Sequence, residues 1–126
     1  GDVFTDEDCG SLLSRTGCDG VALGRIAAAR PWIFSQWTKG RRHGPEAYEA
    51  AAFRLADLLS LHFDPDRALR RFKKFAQYFS ANFRFGHTLF TGLRTVSDLS
   101  QAKKVMRAFF DRHPEINQRP NLNFFH

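Results

Sequence analysis

The segment from Asp66 to Phe83 carries the pattern that most restricts the fold of this chain. At 100° per residue, one narrow helical sector holds only apolar side chains: Leu69, Phe72, Ala76, Phe79 and Phe83. The opposite side gathers the basic side chains Arg67, Arg70, Arg71 and Lys74, with Lys73 at its flank. A helix with one apolar face has to bury that face against other elements. The aromatic rings are therefore expected in a core rather than stacked on nucleic-acid bases.

Three more amphipathic helices are predicted around this one. The first runs from Pro45 to about Phe63, the second from Gly86 to Val96, and the third from the cap Ser97-Asp98 to near His113-Pro114. The apolar stripe of the first consists of Tyr48, Ala52, Leu55, Leu59 and His62. Four such helices with short connections predict a mainly α fold, an antiparallel four-helix bundle over residues 46–114.

The remainder of the chain divides on either side of that bundle. Residues 39–45 are glycine-rich and charged, which is typical of a linker, and residues 115–126 are expected to form an irregular tail. Within residues 1–38, a helix capped by Thr5 is expected to end at Gly17. Val21-Ala22-Leu23 then predicts one short buried strand, followed by a Gly24-Arg25 turn into a short helix. Such a turn presents backbone N–H groups and a cation to a phosphate.

The positive charge is concentrated in the helical part of the chain. The net charge of the whole sequence is +6, and residues 40–113 hold 14 Lys/Arg against 7 Asp/Glu. A charge run is often only a solvated helix face. The clustering on one face nevertheless favours a polyanionic partner, such as a nucleic acid.

The sequence argues against a metal site, a membrane span and a signal peptide. Cys9 and Cys18 lack metal-ligand spacing, and the scattered histidines lack partners, so we expect no metal site. Long apolar runs are absent, so no membrane span is expected. The first residues are acidic and lack the apolar core of a signal peptide, which favours a cytoplasmic location. The sequence contains no recognisable combination of catalytic residues, so none is assigned in this chain.

Several motifs, in order along the chain, resemble the flavin-dependent tRNA-dihydrouridine synthases. They are Gly1-Asp2-Val3-Phe4-Thr5, Thr16-Gly17-Cys18-Asp19-Gly20-Val21, Gly24-Arg25 and Arg30-Pro31-Trp32-Ile33-Phe34. The resemblance implies that the chain is the C-terminal portion of such an enzyme. By this resemblance, residues 1–38 are the C-terminal remnant of a (β/α)8 barrel, and residues 46–114 are a helical tRNA-binding domain.

The resemblance also implies roles for individual residues. Turns containing Gly1, Asp2, Gly24 and Arg25 would hold the phosphate of FMN, and Lys73 and Lys74 occupy the place of the family's basic motif that faces tRNA. The charge pattern and chain position add Arg67, Arg70, Arg71 and Arg84 as expected contacts to tRNA. The parent enzyme would reduce uridine to 5,6-dihydrouridine in tRNA, with NADPH as the reductant of the flavin. Neither cysteine matches the proton donor of the family, so this chain alone is expected to be inactive.

The residues are also compatible with two other functions. One is a stand-alone helical module for RNA binding or oligomerisation, and the other is a different FMN-dependent barrel enzyme with a helical extension. A strand without neighbours leaves its backbone groups unpaired. Residues 1–38 are therefore expected to rearrange against the bundle, to pair with a second copy of the chain, or to be poorly ordered.

Overall fold

The chain is mainly helical in a computed structural model that describes residues 3–126. Seven α-helices occur in this part of the chain: α1 Asp6–Thr16, α2 Arg25–Ala29, α3 Ile33–Lys39, α4 Pro45–His62, α5 Pro65–Ser80, α6 Gly86–Arg94 and α7 Leu99–Asp111. A short 3-10 helix, Leu122–Phe124, follows near the end of the tail. The predicted mainly α class is confirmed, and α3 is a helix that the sequence analysis did not anticipate.

The ends of these helices follow from local chemistry. Thr5 and Asp8 form a capping box at the start of α1, and Gly17 ends that helix in the left-handed conformation. The carboxylates of Asp64 and Asp98 accept hydrogen bonds from the first turns of α5 and α7. The helix ends at Thr5, Gly17 and Asp98 lie where the sequence predicted them, because a cap depends only on residues a few positions apart.

The apolar faces of α4–α7 enclose one hydrophobic core. Its buried members include Tyr48, Ala52, Phe72, Ala76, Phe79, Phe83, Leu89, Leu93, Ala102, Met106 and Phe110. The rings form a connected set, with the Phe79 and Phe83 centroids 5.1 Å apart and those of Phe83 and Phe110 5.5 Å apart. The expectation that the α5 rings lie in the core is confirmed. The inward position predicted for His62 is wrong, since this last residue of α4 is exposed.

The strand predicted at Val21-Ala22-Leu23 does not form. These residues have no regular secondary structure, and Val21 and Leu23 are only half-buried. A strand needs a neighbour for its N–H and C=O groups, and residues 3–126 supply none beside this segment. The β pairing found in this part of the chain is an isolated antiparallel bridge between Phe83 and Ile116.

Part of the chain before α4 packs against the end of α5 and against the tail. Ile26, Ala29 and Ile33 form a second apolar cluster with Ala81, at the end of α5, and with Phe125. The rings of Phe125 and Tyr78 are stacked, with 5.8 Å between their centroids. Around α2 and the start of α3, the first segment therefore follows the first of the three expected outcomes and packs against the helical part. The tail is not loose either, because Phe125 is buried.

A buried polar hub joins these parts. The side chain of Arg30 is only 3% exposed, and its Nε donates to Oδ1 of Asn82 at 2.6 Å. The other two Arg30 nitrogens donate to the carbonyl oxygens of Asn117 and Gln118, at 2.5 and 3.2 Å. Asn82 Nδ2 donates to the carbonyl of Ala29 at 2.8 Å. Burial lowers the pKa of Arg30, an effect that the nearby Tyr48 side chain partly offsets.

We predict that Asn82→Ala lowers the free energy of unfolding by about 2–4 kcal/mol. The substitution leaves Arg30 Nε without its acceptor and removes the donor to two backbone carbonyls, at Ala29 and Phe79. Urea denaturation followed by circular dichroism measures the change. Asn123→Ala is the matched control, because Asn123 is exposed. Equal stabilities of the two variants would contradict the role assigned to the hub.

Gly86 closes the turn between α5 and α6 so tightly that a side chain cannot fit. A Cβ atom placed there would lie 1.9 Å from the carbonyl oxygen of Ser80. We predict that Gly86→Ala lowers the free energy of unfolding by about 3 kcal/mol, since backbone atoms must shift to accept it. The control is Gly10→Ala in α1, where nothing lies within 4 Å of the added atom. That variant is expected to gain about 0.5–1 kcal/mol in thermal or urea denaturation.

Candidate nucleic-acid interface

The outward face of α5 displays four exposed basic side chains. Arg67, Arg70, Arg71 and Lys74 follow one another at helical spacing, and each is exposed in the structure. The opposite face of the same helix is buried through Ala68, Phe72, Ala76 and Phe79. The burial of one face fixes the orientation of the other, so the four cations point into solvent together. This set is called the α5 basic face below.

Two of the four cations are supported by aromatic rings. The guanidinium carbon of Arg71 lies 4.4 Å from the ring centroid of Phe63, and Nζ of Lys74 lies 4.9 Å from that of Tyr78. Contacts of this kind restrict a flexible side chain without neutralising its charge. Nearby acidic groups offset little, since Asp64 engages Arg67 at 3.4 Å in an exposed pair. The arrangement can bind several phosphates along one line.

Lys73 has a different environment from its neighbours. Its Nζ donates to the carbonyl oxygens of Arg94 and Val96, at 2.9 and 2.7 Å. These carbonyls lie at the C-terminal end of α6, where helices leave acceptors unsatisfied and where a positive charge is favourable. Lys73 therefore ties α5 to the end of α6. This role escaped the sequence analysis, because it joins residues more than twenty positions apart, and a contact of Lys73 with RNA stays a prediction.

We predict that Lys73→Met lowers the free energy of unfolding by about 1 kcal/mol, whereas Lys74→Met leaves it nearly unchanged. Both substitutions keep an unbranched apolar stem and remove one charge. Only Lys73 donates to the carbonyls at the end of α6, so only its loss leaves them without that donor. Urea denaturation of the two variants measures the difference. Equal loss in both would contradict the assignment.

Arg84 stands apart from the α5 basic face. It follows the end of α5, a helix of 16 residues, which at 1.5 Å per residue is about 24 Å long. One of its guanidinium nitrogens lies 3.0 Å from a carboxylate oxygen of Glu115. The guanidinium also lies 5.3 Å from the ring centroid of Phe85. The structure thus places Arg84 with a second group of residues, beside a groove between the start of α6 and the end of α7.

The residues expected to hold a flavin phosphate are only partly described. Gly24 is exposed at the start of α2, and Arg25 begins that helix. The Arg25 guanidinium donates to the carbonyl of Phe125 and lies 5.3 Å from the ring centroid of Phe4. Gly1 and Asp2 lie outside the described residues. The guanidinium of Arg25 thus contacts the tail, and a role of these residues in binding a flavin phosphate stays a prediction.

A polar cleft of about 540 Å³ between the start of α1, α3 and the tail was not anticipated. Its lining includes Arg30, His43, Tyr48 and the Arg119–Glu7 ion pair, whose charged atoms are 3.0 Å apart. The Trp32 indole and the His43 imidazole, 4.7 Å apart at their centroids, each hold a buried nitrogen that has no hydrogen-bond partner among residues 3–126. Only tertiary packing brings these residues together, so no sequence spacing could have signalled the cleft.

Comparison with known proteins decides the family. The profile described as "Dihydrouridine synthase (Dus)" matches residues 1–115, which is most of the chain. The chain belongs to the dihydrouridine synthase family. This match supports the resemblance seen in the motifs around Gly17, Gly24 and Pro31, and it argues against a different flavin-dependent barrel enzyme.

Individual relatives of this dihydrouridine synthase chain are bacterial proteins. A probable tRNA-dihydrouridine synthase of Mycobacterium tuberculosis is 29% identical over 108 residues, covering 80% of this chain and 28% of the relative. A tRNA-dihydrouridine synthase B of Pseudomonas putida is 28% identical over 117 residues, with 87% and 35% covered. A tRNA-dihydrouridine(16) synthase of Neisseria meningitidis is 27% identical over 118 residues, with 86% and 35% covered.

The chain spans about a third of the length of the curated relatives it matches. No solved structure matches it significantly. Within residues 3–126, no helix is both long and apolar enough to cross a membrane. The same residues hold no cluster of three or more His, Cys, Asp or Glu side chains suited to binding a metal ion.

Proposed function

We propose that the chain is the C-terminal portion of a tRNA-dihydrouridine synthase and that α4–α7 form its tRNA-binding domain. The whole enzyme would reduce uridine to 5,6-dihydrouridine in tRNA, in the cytoplasm, using FMN and NADPH. The chain by itself lacks the family's proton donor and would be inactive. Family membership supports the reaction class, and the α5 basic face supports the contribution of this chain.

The α5 basic face is the observation that carries the RNA-binding proposal. A polyanion gains affinity from each cation that replaces a condensed counterion on a phosphate. Four exposed cations on one helix, two of them held over aromatic rings, offer several such contacts with little side-chain ordering. The buried opposite face keeps the helix rigid. Binding of this kind follows charge and shape rather than sequence, as expected for folded RNA.

The proposal includes a division of the chain. Residues 1–38 would be the end of a flavin-binding (β/α)8 barrel, residues 39–45 the linker, residues 46–114 an antiparallel helical bundle, and residues 115–126 the tail. Partial support for the division comes from two apolar clusters. One is enclosed by α4–α7, and the other is centred on α2 and the tail but also includes Ala81 at the end of α5. The unpaired extended segment Val21-Ala22-Leu23 is the expected state of a barrel strand whose neighbouring strands are not in this chain.

FMN would be bound mainly by the rest of the barrel. Gly24 supplies an exposed turn at which a backbone could approach a phosphate closely, because a glycine carries no side chain to block it. Gly1, Asp2 and Arg25 would complete the contacts in the whole enzyme. The Arg25 guanidinium would first have to leave the carbonyl of Phe125, so this chain alone is expected to bind FMN weakly.

We predict that the triple variant Arg67→Gln/Arg70→Gln/Lys74→Gln binds unmodified tRNA at least tenfold more weakly than the unaltered chain at low salt. The slope of log affinity against log salt concentration should fall by about 2 to 3, because each lost phosphate contact removes about 0.7–0.9. Fluorescence anisotropy with labelled tRNA at several salt concentrations measures both quantities.

The matched control is the triple variant Arg15→Gln/Arg54→Gln/Lys104→Gln. It removes the same charge from exposed positions of α1, α4 and α7. Equal weakening by both variants would mean that net charge, not the α5 basic face, drives binding. Absence of tRNA binding by the unaltered chain at low salt would overturn the RNA-binding proposal. Sedimentation of the same samples would then test for oligomerisation.

A further inference from the structure

A groove of about 610 Å³ opens between the start of α6 and the end of α7. Its apolar lining comes from Leu89, Val105, Ala108, Phe109 and the ring of Phe85. Charged and polar groups on its rim are Arg84, Thr88, Arg112, His113 and Glu115. The groove is therefore apolar inside and mostly basic at its edge, and the α5 basic face does not include any of these residues.

Phe85 combines two features that are unfavourable for stability. Phe85 is 63% exposed, although burial of a phenylalanine side chain stabilises a folded protein. Its backbone also adopts the left-handed conformation, with φ 60° and ψ 26°, which residues other than glycine rarely adopt. His113, at the rim of the same groove, has φ 53°. These are the non-glycine residues of the described chain with positive φ, and strain of this kind concentrates at functional sites.

The backbone at Phe85 is held in place by its neighbours. The carbonyl oxygen of Phe85 accepts a hydrogen bond from the Thr88 amide at 3.0 Å, which makes Phe85 the first residue of the α6 turn. Gly86 follows in close contact with the Ser80 carbonyl, so the backbone has little room to relax. The ring is therefore attached to a constrained backbone and is largely open to solvent.

The charges around the ring favour a polyanion. Arg84 lies 5.3 Å above the ring centroid and pairs with Glu115, while Arg112 and His113 lie on the α7 side of the groove. Arg112 is exposed, and Glu115, the acidic residue of the rim, is already engaged by Arg84. An anionic ligand with a flat apolar part matches this combination better than a neutral apolar peptide does.

We propose that the groove binds one unpaired nucleobase of RNA, stacked on the Phe85 ring, with the adjoining phosphates at Arg84 and Arg112. This inference rests on the proposed RNA binding and names the part of the RNA that the groove recognises. Stacking on an aromatic ring suits every base, so the site reads an unstacked conformation rather than a sequence. It would distinguish loops and flipped nucleotides from regular duplex.

The test compares Phe85→Gly with Phe85→Trp. Glycine removes the ring and also relieves the strained backbone, so this variant is expected to fold at least as stably as the unaltered chain. Tryptophan keeps an aromatic surface. Two probes are used: labelled tRNA in fluorescence anisotropy, and a short single-stranded RNA with one 2-aminopurine, whose fluorescence is quenched by stacking.

The expected result is a 5- to 100-fold loss of tRNA affinity in Phe85→Gly, with an unchanged salt slope, and loss of 2-aminopurine quenching. Phe85→Trp should retain both. Unchanged affinity and quenching in Phe85→Gly would overturn the stacking site and leave the α5 basic face as the RNA contact. Absence of any RNA binding by the unaltered chain would overturn both proposals. A dimer that dissociates in Phe85→Gly would assign the groove to a second copy of the chain.

Discussion

Arg30 is a charged residue that is almost completely buried, and the segments around it are arranged so that its guanidinium keeps hydrogen-bond acceptors. Its guanidinium remains there because neutral oxygens surround it, from Asn82 and from the backbone of residues 117 and 118. Those oxygens belong to the α5–α6 junction and to the tail, while Arg30 itself follows α2. One buried cation thus joins three segments that lie far apart in the sequence.

Much of the helical structure could be predicted because it depends on residues close in sequence. The capping box at Thr5, the Gly17 stop and the aspartate caps are local, and the α5 pattern needs only a period of 3.6. The prediction of a strand at Val21-Ala22-Leu23 was wrong because a strand depends on a partner that can lie far away in the sequence. The short helix Ile33–Lys39 carries neither a long apolar stripe nor a side-chain cap, and it was missed.

The candidate interface was predictable to a similar degree. Helical spacing alone placed Arg67, Arg70, Arg71 and Lys74 on one exposed face. The environment of Lys73 was not accessible in this way, because its carbonyl partners end a different helix. The Phe85 groove was likewise hidden, since it joins the start of α6 to the end of α7 and depends on a backbone conformation that phenylalanine seldom adopts.

The long sequence separations within the Arg30 hub have a consequence for the order of folding. Most contacts among α4–α7 link helices that are neighbours along the chain, whereas the hub closes loops of 52 and 87 residues. Contacts of low sequence separation form with a smaller loss of chain entropy. The helical core is therefore expected to assemble before the first segment and the tail dock onto it. The docked layer is expected to open before the helical core unfolds. Native-state hydrogen exchange would detect this opening as early, joint exchange of the Asn117 and Asn121 amides.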